Sequence, residues 1–273
     1  TTELNTWLDS NGGAAASDIC CGTDVEWSND YDLANFVTTC GAAGYVDVIF
    51  TATDCCDNPA TTSATFTIED NTPPSIDTLA SDQTVECDGS GNTTELNTWL
   101  DSNGGAAASD ICCGTDVEWS NDYDLANFVT TCGAAGYVDV IFTATDCCGN
   151  PATTSATFTI EDNTPPSIDT LASDQTVECD GSGNTTELNT WLDSNGGAAA
   201  SDICCGTDVE WSNDYDLANF VTTCGAAGYV DVIFTATDCC DNPATTSATF
   251  TIEDNTPPSI DTLASDQTVE CDG

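Results

Sequence analysis

Ile68-Glu69-Asp70-Asn71-Thr72-Pro73-Pro74-Ser75-Ile76 recurs unchanged at Ile160–Ile168 and Ile252–Ile260. Proline fixes φ, lacks an amide donor and holds its predecessor extended, so Thr72-Pro73-Pro74 is a stiff, non-helical joint. An alternating strand pattern runs into it and another strand begins after it. The stretch therefore reads as the linker between tandem β domains, with its carboxylates placed where two domains meet.

Working outward, the octapeptide Thr1-Thr2-Glu3-Leu4-Asn5-Thr6-Trp7-Leu8 returns at Thr93 and Thr185, a period of 92 residues. The copies are identical wherever they overlap, except that Asp57 and Asp241 correspond to Gly149. A unit of this length has the size of an immunoglobulin domain and is too long for a solenoid repeat.

Within a unit, Asn92-Thr93-Thr94-Glu95 has capping-box spacing with Asn as the cap. Leu96, Trp99 and Leu100 then fall at i, i+3 and i+4 before Gly104-Gly105, which predicts one short amphipathic helix facing the core. Asp24 to Ser28 alternates as a half-buried strand, and Asn29 to Asp32 is an acidic turn. Leu33 to Cys40 is ambiguous. Tyr45 to Ala52 is the strongest strand, and Asp54 to Pro59 is a hairpin-like loop. Thr62 to Glu69 places Ala64, Phe66 and Ile68 on one face. Ile76 to Cys87 supplies one or two more strands before the turn Asp88-Gly89-Ser90-Gly91. The fold class is all-β: tandem Ig-like β-sandwich domains on a 92-residue repeat, each with one short helix.

The chain has 273 residues and 47 carboxylates, without Lys, Arg or His. A hydrophobic content of 40%, with six Trp, nine Phe and six Tyr, supports packed cores despite that charge. A net charge of −47 excludes ordinary nucleic-acid binding and adsorption to anionic membranes. No stretch approaches the ~20 apolar residues of a membrane span, and the N-terminus lacks the pattern of a signal peptide. Positive charge must come from outside the protein, and oxygen-only ligands select Ca²⁺ over zinc or copper. Eighteen cysteines divide as six per repeat, an even number that predicts a disulfide framework and an oxidising, extracellular compartment. Six cysteines allow 15 pairings per domain. Closing a bond within a doublet is geometrically unfavourable, so Cys20-Cys21 and Cys55-Cys56 are expected to reach other partners or each other.

Asp-Asn-Thr-Pro-Pro at the domain start, Thr84-Val85-Glu86-Cys87-Asp88-Gly89, Trp27-Ser28-Asn29-Asp30 and Phe50-Thr51-Ala52-Thr53-Asp54 resemble the hyalin-repeat-like (HYR-like), Ig-type modules of very large bacterial cell-surface and secreted proteins. The resemblance covers every repeat and implies an extracellular β-sandwich used as spacer, adhesin or fibre element. The chain departs from that pattern in its cysteine doublets, and in having Asp-Cys-Cys-Asp-Asn where the modules have Asp-x-Cys-Gly-Asn.

The module boundaries that the resemblance implies are 70–161 and 162–253 for two complete domains. Residues 1–69 then lack their opening strand, and 254–273 form an opening strand without a domain. The two fragments together amount to 89 residues, one unit less Ser-Gly-Asn. Two arrangements satisfy this frame: a window of a longer periodic polypeptide, or a head-to-tail homopolymer in which the C-terminal segment of one subunit completes the first domain of the next. The second is strand donation, a heterologous contact that yields a filament.

Calcium takes ~6–8 oxygens from carboxylates, amides and carbonyls. The joint offers Glu69, Asp70 and Asn71, the hairpin loop offers Asp54 and Asn58, and Asp18 precedes the other doublet. The copies are Asp110, Asp146, Asn150, Glu161, Asp162 and Asn163, then Asp202, Asp238, Asn242, Glu253, Asp254 and Asn255. If disulfides draw both Cys-Cys loops to one end of the sandwich, these groups converge near the joint. The acidic-amide linker also looks like the calcium-binding linkers of cadherins. Asp57 is replaced by Gly149 and is at most an optional ligand. Asp30 and Asp32 read as a solvated loop. Asn92-Thr93-Thr94 and its copy at Asn184 match the N-glycosylation sequon.

Catalysis is not expected: no His or Lys serves as base, and Ser and Thr have no activating partner. The sequence points to a non-enzymatic extracellular filament whose main partner is itself, with Ca²⁺ as its cofactor. The alternative is the stalk of a surface adhesin that binds carbohydrate or a cell surface. Trp7 and Trp27 have apolar neighbours in phase and are expected in the core, which favours the rod.

Overall fold

The structure, a computed structural model, describes residues 2–271. The first repeat contains α1 (Thr2–Asp9), β1 (Val25–Asn29), β2 (Val37–Cys40), β3 (Ala43–Asp54) and β4 (Pro59–Ile68). The second contains β5 (Ser75–Thr78), β6 (Gln83–Glu86), α2 (Thr93–Asp101), β7 (Ala107–Ser109), β8 (Val117–Asn121), β9 (Val129–Cys132), β10 (Ala135–Asp146) and β11 (Pro151–Glu161). The third repeats that order as β12 (Ser167–Thr170), β13 (Gln175–Glu178), α3 (Thr185–Asp193), β14 (Ala199–Ser201), β15 (Val209–Asn213), β16 (Val221–Cys224), β17 (Ala227–Asp238) and β18 (Pro243–Glu253). The chain is all-β with one short helix per repeat, a tandem array of Ig-like domains. It divides into two compact units. One comprises Thr1–Val85, Asn92–Val129 and Gly136–Thr159; the other comprises Glu86–Gly91, Thr130–Ala135 and Ile160–Gly273.

The second unit holds a complete sheet, ordered β13-β18-β17-β15 with β16 also on β17. Its spine is the long hairpin of β17 and β18, in register from Gly228↔Ile252 to Thr237↔Pro243. Successive side chains of a strand point to opposite faces. Val230, Val232, Phe234 and Ala236 therefore face inward at 0–1% exposure, while Ile233 between them is 46% exposed. β13 lies parallel to β18, pairing Gln175↔Phe250 through Glu178↔Glu253. Over the inner face lies α3, and just after the β12–β14 ribbon Ala172 packs on the same core and donates its N–H to the Thr246 hydroxyl at 3.1 Å.

Leu188, Trp191 and Leu192 of α3 are 7%, 3% and 9% exposed, as their helical spacing requires. Trp191 meets Phe234 edge-on at 5.2 Å, and its indole N–H donates to Ser173 O at 3.0 Å. Trp99 makes the same contacts with Phe142 and Ser81 in the other unit. The capping box does not form. Asn184 adopts φ +50° and sends its side chain backward, Nδ2 donating to Glu178 O and Oδ1 accepting from Asp180 N. Its amide ties down the preceding turn, where Asp180 Oδ1 accepts from Ser182 N and Asn184 N. Asn92 and Asn184 are each 2% exposed, so the folded domain buries the sequon asparagines and opposes their glycosylation.

The ambiguous stretch becomes a 3₁₀ turn, Leu33–Asn35, and β2. Asp32 caps that turn by accepting from Ala34 N, and Asp30 accepts from Ile49 N, so this loop uses its acids for turn chemistry. Asp57 and Asp241 adopt φ of +64° and +71°, and Gly149 sits at +89°. The one substitution between copies thus falls at a left-handed residue, which glycine and aspartate both tolerate.

The first repeat builds its sheet on β3, with β1, β2 and β4 as antiparallel partners. Among the described residues no strand flanks β4 as β13 flanks β18. Ile68 is 37% exposed where Ile252 is 3%, and Phe66 and Ala64 are only half-buried. Trp7 packs on Phe50 and Phe66 but is also half-buried, as is Trp27. Replacing Trp191 by Ala should cost about 3–5 kcal/mol in urea unfolding, whereas Trp7→Ala, at a site already part-wetted, should cost less. Equal losses would contradict this difference in packing.

Candidate metal centre

Each cysteine doublet sits in a loop that an aspartate folds. Asp202 Oδ1 accepts from Cys204 N and Cys205 N at 2.6 and 2.9 Å. Asp238 Oδ1 accepts from Cys240 N and Asn242 N at 2.8 and 2.9 Å, and its Oδ2 accepts from Asn242 Nδ2 at 3.1 Å. The disulfide Cys205–Cys239 joins the two loops, and Cys21–Cys55 and Cys113–Cys147 do the same in the other repeats. The doublets thus reach each other through one member, while the second member is left for other partners.

Both loops converge on the aspartate of the Pro-Pro joint. Asn242 Nδ2 donates to Asp162 O at 3.0 Å, and Cys205 Sγ lies 3.7 Å from Asp162 Oδ2. Carboxylate oxygens of Asp162 and Asp238 lie within 4.8 Å of each other, as do those of Asp70 and Asp146. Asn150 Nδ2 donates to Asp70 O at 3.2 Å. Asp162, Asp146 and Asp238 are 9%, 5% and 4% exposed. Burial pushes the Asp162 carboxyl above its ordinary range, opposed by donation from Thr164 N and reinforced by Asp202, Asp238 and Glu86. The Cys112 thiol is also pushed up, by burial and then by Asp70, Asp110 and Asp146. Burial would raise Asp146 as well, but hydrogen bonds from Asn150 and Cys148 outweigh it and hold the group below its usual value. Asp54 is lowered by donation from the side chain and N–H of Asn58 and from Cys56 N.

The joint triplet does not form a single ligand set. In an extended chain neighbouring side chains diverge, so Asp162 turns to the cysteine loops while Glu161 and Asn163 turn away. Asn163 N donates to Glu86 Oε1 at 2.8 Å, as does the Thr164 hydroxyl, and Asn163 Nδ2 lies 3.3 Å from Glu161 Oε2 and 3.4 Å from Glu86 Oε2. Glu178 takes the same place beside Glu253 and Asn255. Glu86 and Glu178 were not among the expected ligands. Their signal was the strand Thr84-Val85-Glu86, whose apolar Val85 fixes the phase of its acidic neighbour. Glu69 and Asn71 pair only with each other among the contacts of the first joint. Asp254 is exposed and accepts from Thr256 N, apart from any cysteine loop. Among the described residues Asp18, Asp54 and Asn58 form their loops without a joint aspartate beside them.

The donor set at Asp162 and at Asp70 fits a hard cation. It is made of oxygens, the adjacent sulfurs of Cys113, Cys148, Cys205 and Cys240 are tied up in disulfides, and the chain has no cationic side chain to neutralise the buried carboxylates.

No family model and no curated protein matches the chain. Solved structures similar to it include cadherin ectodomains. One is mouse clustered PcdhgC3 EC1-3, at 12% identity over 92% of this chain and 93% of that one, with a TM-score of 0.29. Another is mouse cadherin-23 EC22-24, at 11% identity over 88% and 90%, with a TM-score of 0.30. The chain spans about half, 45%, of the protocadherin GammaB4 extracellular domain, matched over 85% of this chain at 12% identity with a TM-score of 0.31. No helix among the described residues is long and apolar enough to cross a membrane.

Two carboxylates should respond to pH in opposite senses. Glu178 is held below its ordinary value first by Asn255 N and then by the Thr256 hydroxyl, so its stabilisation is complete above the usual glutamate range and is lost as pH falls through the folded value. Asp162 is raised, so its ionisation begins to destabilise the fold as pH rises through the usual aspartate range, and does so fully above the folded value. In chelator at pH 7, Asp162→Asn should therefore unfold at higher urea than the parent and Glu178→Gln at lower urea. The reverse order would refute these assignments.

Proposed function

We propose that this chain is a non-enzymatic structural protein of an extracellular fibre, an array of Ig-like domains of the hyalin-repeat-like kind joined head to tail and stiffened by Ca²⁺. The observation that carries the reading is a strand edge and a strand of matching sequence, both unpaired. Among the described residues β4 lacks the parallel neighbour that covers β18, and residues 259–270, identical to β12, β13 and their connection, form no strand. In that segment Ile260 is 73% and Val269 75% exposed, whereas Ile168 and Val177 are half-buried. By the register of β13 on β18, Gln267 to Glu270 of one copy would align with Phe66 to Glu69 of the next. Backbone ladder hydrogen bonds and the burial of Val269, Phe66 and Ile68 would hold the junction. The domains of the fibre then run 70–161 and 162–253, with 254–273 completing residues 1–69 of the following copy.

Calcium acts on the joints. Asp70 with Asp146 and Asp110, and Asp162 with Asp238 and Asp202, would hold the ion, with carbonyls or water completing its shell. Glu86 or Glu178, with the neighbouring Glu and Asn of the joint, would offer a second, more exposed position. Without metal these carboxylates repel; with it, bridging oxygens fix the angle between the joint and the cysteine loops. The six disulfides require an oxidising compartment. The core positions of Trp99 and Trp191 support a passive rod over an aromatic adhesive face.

Electron imaging of the native material in millimolar calcium should give straight, regular fibres. After a chelator they should bend or fray. Fibres unchanged by chelation would remove calcium from the mechanism, and separate beads in both conditions would remove the filament.

A further inference from the structure

Three of the six disulfides join different copies of the repeat. Cys40–Cys148 and Cys132–Cys240 both span 108 residues, and Cys87–Cys204 spans 117. Among the described residues six cysteines are unpaired: Cys20, Cys56 and Cys112 toward the N-terminus, Cys179, Cys224 and Cys271 toward the C-terminus. Advanced by 108 residues along the 92-residue repeat, Cys224 reaches the position that Cys56 holds in a following copy. Advanced by 117, Cys179 and Cys271 reach the positions of Cys20 and Cys112. The two rules account for all six.

The surfaces around these cysteines match in the same way. Beside Cys132, Ala134 N donates to Cys204 O at 3.1 Å, and a Cβ on Gly133 would stand 2.6 Å from that oxygen and 2.8 Å from Cys239 Sγ. Gly41 and Ala42 meet Cys112 and Cys147 in the same manner. Gly225, beside Cys224, keeps the left-handed φ of +59° with nothing within 4 Å. Beside Cys87, a Cβ on Gly89 would stand 2.6 Å from Ile203 O, while Gly181 beside Cys179 has no such neighbour. Ile203 is 67% exposed, but Ile19 and Ile111, next to unpaired Cys20 and Cys112, are 102% and 96% exposed. Beside Cys20, Cys112, Cys179 and Cys224 the chain thus carries one half of a contact that it completes elsewhere.

We propose that a second copy of this chain supplies the other halves, so that each head-to-tail junction is closed by three disulfides: Cys179 to Cys20, Cys224 to Cys56 and Cys271 to Cys112 of the following copy. This rests on the head-to-tail reading above. Each bond forms as two thiols release two protons and two electrons, which reduce one oxidant disulfide to two thiols. A junction therefore consumes three oxidant disulfides, for which oxidised glutathione serves as the probe.

The test uses the full chain, assembled with oxidised glutathione, denatured without reductant and alkylated. Before assembly six thiols per chain should react; in fibres almost none should, and the material should enter a gel at 28.2 kDa only after reduction. The variant Cys179→Ser/Cys224→Ser/Cys271→Ser, which touches no bond within the chain, should keep three reactive thiols and run at 28.2 kDa without reductant. Fibres that retain six reactive thiols per chain would overturn the disulfide junction and leave the filament standing. Single chains with six thiols would overturn both. A reduced product well above 28.2 kDa would overturn the assignment of the partner as a separate copy.

Discussion

The third repeat is closed by a ladder four residues long. Gln175 to Glu178 runs parallel to Phe250 to Glu253, so the strand that enters a repeat covers the strand that leaves it. Parallel pairing requires a long crossover, and here the crossover is nearly the whole domain. Phe250 and Ile252 reach 0% and 3% exposure under this ladder, while their counterparts in the first repeat stay half-buried or exposed without it. The core of a repeat thus depends on a segment lying on the far side of a Pro-Pro joint from the repeat before it.

That placement explains why so much chemistry gathers at the joint. The segment must leave one domain and enter the next within a few residues, and its alternating side chains go to two places. Asp162 goes inward to the cysteine loops, and Glu161 and Asn163 go outward to Glu86. Buried carboxylates in a chain without cations are costly unless protons or metal ions compensate them, and the raised Asp162 carboxyl expresses that cost.

Much of this was legible in the sequence, because period-2 and period-3.6 patterns report burial directly. Tyr45 to Ala52, the Ala64–Phe66–Ile68 face and the Leu96–Trp99–Leu100 stripe lie where their spacing places them. The meeting of the two Cys-Cys loops beside Asp162 was held in the sequence only as a condition, because six cysteines leave 15 pairings open. The destination of the Asn184 amide did not follow: a helix N–H and a turn carbonyl compete for it, and only the left-handed backbone decides. Glu86 was hidden because its partners lie more than 70 residues away. The exchange of cysteines between repeats was hidden because identical copies offer identical local spacing. A per-domain count of six satisfies the arithmetic without revealing which domain owns each partner.

The crossed disulfides also set how far the chain can stretch under load. From Cys40 a covalent path steps to Cys148, runs back 16 residues to Cys132 and steps to Cys240. A pull along the array can therefore travel through about 55 Å of backbone per repeat, where an uncrosslinked unit would pay out about 300 Å. Most of each domain lies off that path. Tension runs through the central strand of each sheet, Ala135–Asp146 in the second repeat, and the crossed bonds cap how far each repeat can lengthen.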